Sequence, residues 1–285
     1  MSESDKQFLD FREVGTRPWQ KLLLGTLQTV ADPIVQRSAL NEHYAELLRR
    51  LETSEDSFYD TGLGVLGVRY KVSDEDLKRI PRDGPVFILA NHPYGGVDGL
   101  VLGSILDKVR PDSKLLVNYL LGKIADMGGR CFYVNPFGGE EATRANLKGM
   151  KDSLRWLKDG HALATFPAGT VSHLKWWRRR VTDPTWVENI APLILKSNAV
   201  VVPMYFEGRN SNLFQVAGLV HPILRTAMLA REMIRGKNRE IKVRIGNPIS
   251  AKRLIHFDGN REIMDFLRLR TYIQKSRNLA DKTVF

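Results

Sequence analysis

Three short apolar runs in this chain end within three residues of a proline. They are Val86 to Ala90 before Asn91-His92-Pro93, Arg130 to Val134 before Asn135-Pro136, and His161 to Phe166 before Pro167. Proline cannot donate to a sheet ladder and pushes the preceding residue to extended backbone, so each run reads as a strand with a fixed end. Leu115 to Val117, Ala199 to Phe206 and Glu240 to Ile245 are further short runs of the same kind. Helix-length stretches lie between them. The clearest is Glu140 to Leu157, where Leu147, Met150, Leu154 and Leu157 recur at helical spacing and two glutamates occupy the first turn. This alternation predicts an α/β fold with a largely parallel central sheet flanked by helices. In such sheets ligands gather beyond the carboxyl ends of the strands.

Ahead of the sheet, residues 18–53 read as a helical hairpin. Leu22, Leu23, Leu24, Leu27 and Val30 form one stripe, Pro33 interrupts, and Leu40, Tyr44, Leu47, Leu48 and Leu51 form a second. Trp19 and Lys21 at its entry suit a helix at a membrane surface, and packing on the main body is the plainer alternative. The expected division is a helical segment over 1–60 and the chemistry-bearing domain over 61–285. Glu52 to Gly64 reads as a connection, Val65 to Tyr70 as a first strand and Asp74 to Ile80 as a short helix. Leu120 to Met127 reads as a helix closed by Gly128-Gly129.

The chemistry concentrates where the first run ends. His92 enters a turn containing Gly95 and Gly96, and Asp98 follows. A carboxylate that holds the imidazole Nδ1–H fixes the tautomer and stabilises the charge formed when Nε2 takes a proton, which makes a general base. Cys131 is the single cysteine, so no intrachain disulfide forms and a reducing compartment is expected. It reads as a structural thiol. HExxH and CxxC are absent and no metal is expected; G-x-S-x-G and the Walker A pattern are absent too.

Four blocks stand in order: NHPYGGVD at 91–98, GGRCFYVNP at 128–136, FPAGTVS at 166–172 and VVPMYFEG at 201–208. Together they resemble the glycerolipid acyltransferase family, the 1-acyl-glycerol-3-phosphate acyltransferases and their relatives. The wording of the first block is nearest a bacterial hemolysin-like or ornithine-lipid-type subgroup. The resemblance covers residues 85–250 and implies an O-acyltransferase that needs no cofactor. His92 would take the proton of a lyso-lipid hydroxyl, Asp98 would orient it, and the oxygen would attack the thioester of acyl-CoA or acyl-carrier protein directly. The substrate-binding residues expected on this basis are Asn91, Tyr94, Gly95, Gly96, Asn135, Pro136, Phe166, Pro167, Ala168, Gly169 and Thr170. The backbone N–H groups at Gly169-Thr170 are candidate oxyanion donors.

Departures from the family pattern bear on the acceptor. Five residues separate His92 from Asp98 where the family has four, Ala168 stands for the usual Glu, and Val171 for the usual Arg. Asn135 lies near the place of the arginine that grips the acceptor's phosphate. Arg144 is a candidate replacement clamp, against a solvated helix face. The acid–base pair is kept while the phosphate-reading residues are not. These departures from the resembled family therefore lead us to expect a lyso-aminolipid acceptor, such as a lyso-ornithine or lyso-glycine lipid, no less than lysophosphatidate.

A net charge of +11 selects anionic partners. Lys175-Trp176-Trp177-Arg178-Arg179-Arg180 is the densest candidate contact, since Trp anchors at the membrane–water boundary and Arg meets anionic headgroups. A solvated loop is the alternative. His221 to Lys237 is a second basic and apolar stretch. No apolar run approaches the ~20 residues of a spanning helix, and MSESDKQFLDFREVG lacks the apolar core of a secretory leader. A cytoplasmic protein, peripheral on the inner face of the cell membrane, is expected. Two other readings compete: a lipid-binding relative without transfer activity, and a basic nucleic-acid-binding protein, which leaves the four blocks unexplained.

Overall fold

The computed structural model describes residues 36–118, 129–134 and 140–277, with 18, 19, 22, 127, 283 and 284; over 140–145 only the helical backbone is described. The strands are β1 (Arg69–Val72), β2 (Val86–Ala90), β3 (Lys114–Asn118), β4 (Cys131–Val134), β5 (Ala162–Thr165), β6 (His173–Lys175), β7 (Arg180–Thr182), β8 (Val200–Phe206), β9 (Glu240–Ile245) and β10 (Thr283–Val284). The helices are α1 (Arg37–Leu51), α2 (Phe58–Leu66), α3 (Asp74–Leu77), α4 (Gly96–Val109), α5 (Glu140–Lys158) and α6 (Ala191–Ser197). After these come α7 (Asn212–Val220), α8 (Pro222–Ala227), α9 (Leu229–Ile234), α10 (Ala251–Leu254) and α11 (Asn260–Tyr272).

The main sheet has the order β10-β1-β9-β8-β2-β5-β3-β4, and β6 with β7 forms a separate hairpin. Strands β8, β2, β5, β3 and β4 are mutually parallel, whereas β9 runs antiparallel to β8 with β1 parallel to β9. The expected largely parallel sheet is present, with a reversed edge. All five residues of β2 are buried, because helices cover both faces. Successive side chains alternate between two cores. Val86, Ile88 and Ala90 join the core under α2 and α4, while Phe87 and Leu89 join the one under α5, α6 and α11.

Two elements depart from expectation. The stretch read as a connection contains α2: Ser57 Oγ accepts the N–H of Asp60 at 3.2 Å, and Gly67 closes the helix at φ 62°. Its Gly62 serves close packing, since a Cβ there would stand 3.1 Å from Leu100 of α4. Gly103 of α4 in turn leaves room for the Tyr59 ring, where a Cβ would collide. Val65 therefore ends a helix, and β1 begins at Arg69. The second departure is the Lys175–Arg180 stretch, which is the turn of a hairpin.

Of the helical hairpin expected over 18–53, the second arm is α1, buried through Leu40 and Leu47 and packed on α2 and α9. The first arm lies outside the described residues apart from Pro18, Trp19 and Leu22, as does most of the helix expected over 120–127. Among the described residues, no helix is long and apolar enough to cross a membrane.

Candidate active site

Strand β2 delivers the Asn91–Gly95 loop to the carboxyl end of the parallel strands, where α4 begins. Gly95 turns the chain at φ 80°, a conformation that favours glycine, and its carbonyl accepts the Asp98 N–H at 2.9 Å. Asp98 thus lies in the first turn of α4, where the helix dipole favours a carboxylate. Its Oδ2 accepts three N–H groups: His92 Nδ1 at 3.0 Å, Tyr94 N at 2.7 Å and Gly95 N at 3.0 Å. With Asp98 as acceptor, Nδ1 carries the imidazole proton and Nε2 is left as a proton acceptor.

Asp98 is fully buried, and its Oδ1 has no hydrogen-bond partner among the described residues. Burial pushes its carboxyl above the usual range, opposed by the bond to and charge of His92 and then by the two backbone N–H groups. A buried anion with one bare oxygen gains most when a positive charge forms beside it. Proton uptake at Nε2 creates that charge. The His92 side chain is 18% exposed, so the ring can be reached from outside, and its inner face stacks on Phe166 with centroids 4.1 Å apart.

The backbone of His92 is held from a second direction. Its N–H donates to Asp183 Oδ1 at 3.2 Å, and its carbonyl accepts the Ser172 N–H at 2.8 Å. Ser172 Oγ also donates to Asp183 Oδ1, and Trp186 Nε1 donates to Oδ2 at 2.9 Å. Ser172 precedes β6 and Asp183 follows β7, so both feet of the hairpin grip the histidine. Tyr272 accepts the Asp183 N–H at 2.8 Å, and Arg268 donates to the Asp183 carbonyl at 3.0 Å. Sequence reading missed Asp183. It lies 91 positions from His92 and belongs to none of the four blocks, so only tertiary structure brings it in.

Several residues expected to line the acceptor site have other tasks. The Asn91 amide is committed at both ends, donating to the Phe206 carbonyl at 2.9 Å and accepting the Phe206 N–H at 2.7 Å, so it locks the ends of β2 and β8 together. Tyr94 is buried, its hydroxyl donating to the Glu207 carbonyl at 3.2 Å. Gly95 and Gly96 back onto Leu229, Val171 and Met233 at 3.0–3.3 Å from where a Cβ would be. Pro167 and Ala168 are buried, with the Pro167 carbonyl accepting from Val187 and Ala168 in the core beside Phe87 and Trp186. The Gly169 N–H is spent on the Phe166 carbonyl at 3.1 Å, which removes it as an oxyanion donor. Gly169 is exposed and Thr170 half-buried at the mouth of the loop. Asn135 and Pro136 lie outside the described residues, and so does the Arg144 side chain, although its backbone is in α5.

A family model described as "Acyltransferase" matches residues 23–281. The chain belongs to this acyltransferase family. Two curated relatives, from Phocaeicola vulgatus and Bacteroides thetaiotaomicron, are both described as lyso-glycine lipid O-acyltransferase. They are 28% and 30% identical to this acyltransferase over 186 and 193 residues, 63% of its length in each case. The matches span just under two thirds of the relatives, 64% and 66% of their lengths. A solved structure, the 1-acyl-sn-glycerophosphate (LPA) acyltransferase PlsC of Thermotoga maritima, is similar at 12% identity with a TM-score of 0.45, over 86% of this chain and 98% of that one.

Cys131 of the acyltransferase is buried in β4. Burial pushes its thiol up to about 12 despite Arg130 and Lys114 nearby. At pH 8 only about one such thiol in ten thousand is the reactive thiolate. Iodoacetamide at that pH is therefore expected to leave the folded protein unlabelled while the denatured chain reacts to completion. Labelling of the folded protein at the denatured rate would contradict the burial.

Proposed function

We propose that this acyltransferase moves a fatty acyl chain from a thioester donor, acyl-CoA or acyl-carrier protein, to the hydroxyl of a lyso-lipid. The observation that carries this reading is the partly exposed ring of a histidine whose Nδ1–H is held by buried Asp98, which leaves Nε2 as the proton acceptor. The acceptor hydroxyl donates to Nε2, its proton passes to the ring as the oxygen attacks the thioester carbonyl, and the carbon–sulfur bond breaks. The departing thiolate then takes the proton back from the imidazolium. General-base help of this kind is worth about 10²–10⁴-fold.

The acceptor in this reading is a lyso-aminolipid of the lyso-glycine class. Val171 and Ala168, at the positions where the resembled family carries its Arg and Glu, are both buried in apolar clusters and present no charge to a phosphate. The lyso-glycine description of the two curated relatives supports the same class. The test is transfer of labelled acyl chains, from each donor in turn, into lyso-glycine lipid, lyso-ornithine lipid and lysophosphatidate. Product on the aminolipids is expected to exceed that on lysophosphatidate by at least about tenfold. Faster transfer to lysophosphatidate would sink the acceptor assignment. Wild type no better than His92→Ala on every pair would sink acyl transfer itself.

A further inference from the structure

The outer face of α7 is unusual for a helix in water. Its sequence, NLFQVAGLV, contains no charged residue. Phe214 and Gln215 face inward, while Leu213, Val216, Leu219 and Val220 are 45–71% exposed. Strand β6 lies beside this helix, with the Leu174 N–H donating to Gln215 Oε1 at 2.8 Å. At the tip of the hairpin, Trp176 and Trp177 are 67% and 61% exposed and meet edge to face with centroids 6.0 Å apart. Arg178, Arg179 and Arg180 are exposed beside them. Positive charge accumulates here: after burial itself, Arg225, Arg268 and Arg178 are what disfavour the charge on Lys175.

We propose that the β6–β7 hairpin tip and the outer face of α7 form the surface by which this acyltransferase docks on an anionic lipid bilayer. Indole rings and arginines side by side suit the membrane–water boundary, where ring and headgroup are both satisfied. The bare aliphatic stripe of α7 gains by entering the acyl boundary, as apolar faces of interfacial helices do. Nucleic acid would match the arginines but leave that stripe in water. The hairpin also connects the surface to the chemistry. Three residue pairs, His173 with Thr182 to Lys175 with Arg180, separate the tip from the Ser172 and Asp183 feet that grip His92. That ladder is about 10 Å long, so docking fixes the depth of the histidine below the headgroups, within reach of a lyso-lipid hydroxyl lifted from the bilayer.

This inference rests on the lyso-lipid reading for its purpose, and its test separates the two. The full chain is floated with vesicles of phosphatidylethanolamine and phosphatidylglycerol, and transfer is measured both to vesicle-borne lyso-glycine lipid and to a short-chain analogue that stays monomeric. Removing Arg178, Arg179 and Arg180 together is expected to weaken vesicle binding about a hundredfold, at about fivefold each. Trp176→Ala with Trp177→Ala, and Leu213→Ser with Val216→Ser, are expected to cost about tenfold or more apiece. Transfer to vesicle-borne acceptor falls with binding in every variant, while transfer to the short-chain acceptor stays at the wild-type level. Variants that float like wild type overturn the proposal, as does a wild type that ignores vesicles and shifts duplex DNA. Intact vesicle binding with no transfer to either acceptor supports docking and overturns acyl transfer.

Discussion

His92→Ala keeps its fold and loses acyl transfer by about 10²–10⁴-fold or more. The fold survives because the ring is partly exposed and sits in a loop, so its removal opens little of the core. What remains is Asp98 with the Tyr94 and Gly95 N–H groups still on Oδ2, which keeps the start of α4 in place. Asp98→Asn probes the same pair from the other side. Its amide oxygen can accept the same three N–H groups, yet it brings no charge to offset the imidazolium. Turnover is expected to fall with little change in KM, and the double variant is expected to be scarcely slower than His92→Ala alone, because the two side chains act as one unit. Steady-state kinetics of the three proteins, matched for folded fraction by circular dichroism, check this. Additive losses would mean that Asp98 works apart from the histidine.

The second large effect is at Asp183. Its buried carboxylate accepts from the His92 backbone, the Ser172 hydroxyl and the Trp186 indole. Asp183→Ala leaves those donors without a partner, at about 1–3 kcal/mol for each that stays unsatisfied. The variant is therefore expected to melt well below wild type, and Asp183→Asn somewhat below. A role in placing His92 predicts more than lost stability. Below its melting point, Asp183→Asn is expected to show a lower kcat at unchanged KM. Trp186→Phe, which takes away the indole donor on the core side and some buried ring volume, is expected to lower the melting temperature while kcat holds. If both variants move kcat in proportion to stability, Asp183 is structural only.

The parallel strands and the His92–Asp98 pair were legible in the sequence because their signals are local. An apolar run, a proline and a glycine turn all act within ten residues of His92, and the same is true of the periodicity behind α5. What escaped depends on distant neighbours. Glycine in the stretch before β1 reads as a breaker until α4 packs against it, when Gly62 proves to be a contact surface for Leu100. The hairpin of β6 and β7 is short, with a basic tip that alternation cannot distinguish from a loop. Asn91 stands in a block that carries chemistry, but its amide bridges β2 to β8. The Gly169 N–H, open to an oxyanion in the sequence, closes its own turn. Asp183 reaches His92 only because the hairpin brings the chain back on itself.

The most direct test of the central claim is rapid-quench transfer from labelled acyl-CoA to lyso-glycine lipid by wild type and His92→Ala at equal folded concentration, counting label on both lipid and protein. Direct attack assisted by His92 predicts that label passes to the lipid without appearing on the protein, and that the variant forms almost no product. Label accumulating on the wild-type protein before product, or a variant that transfers at the wild-type rate, would contradict it.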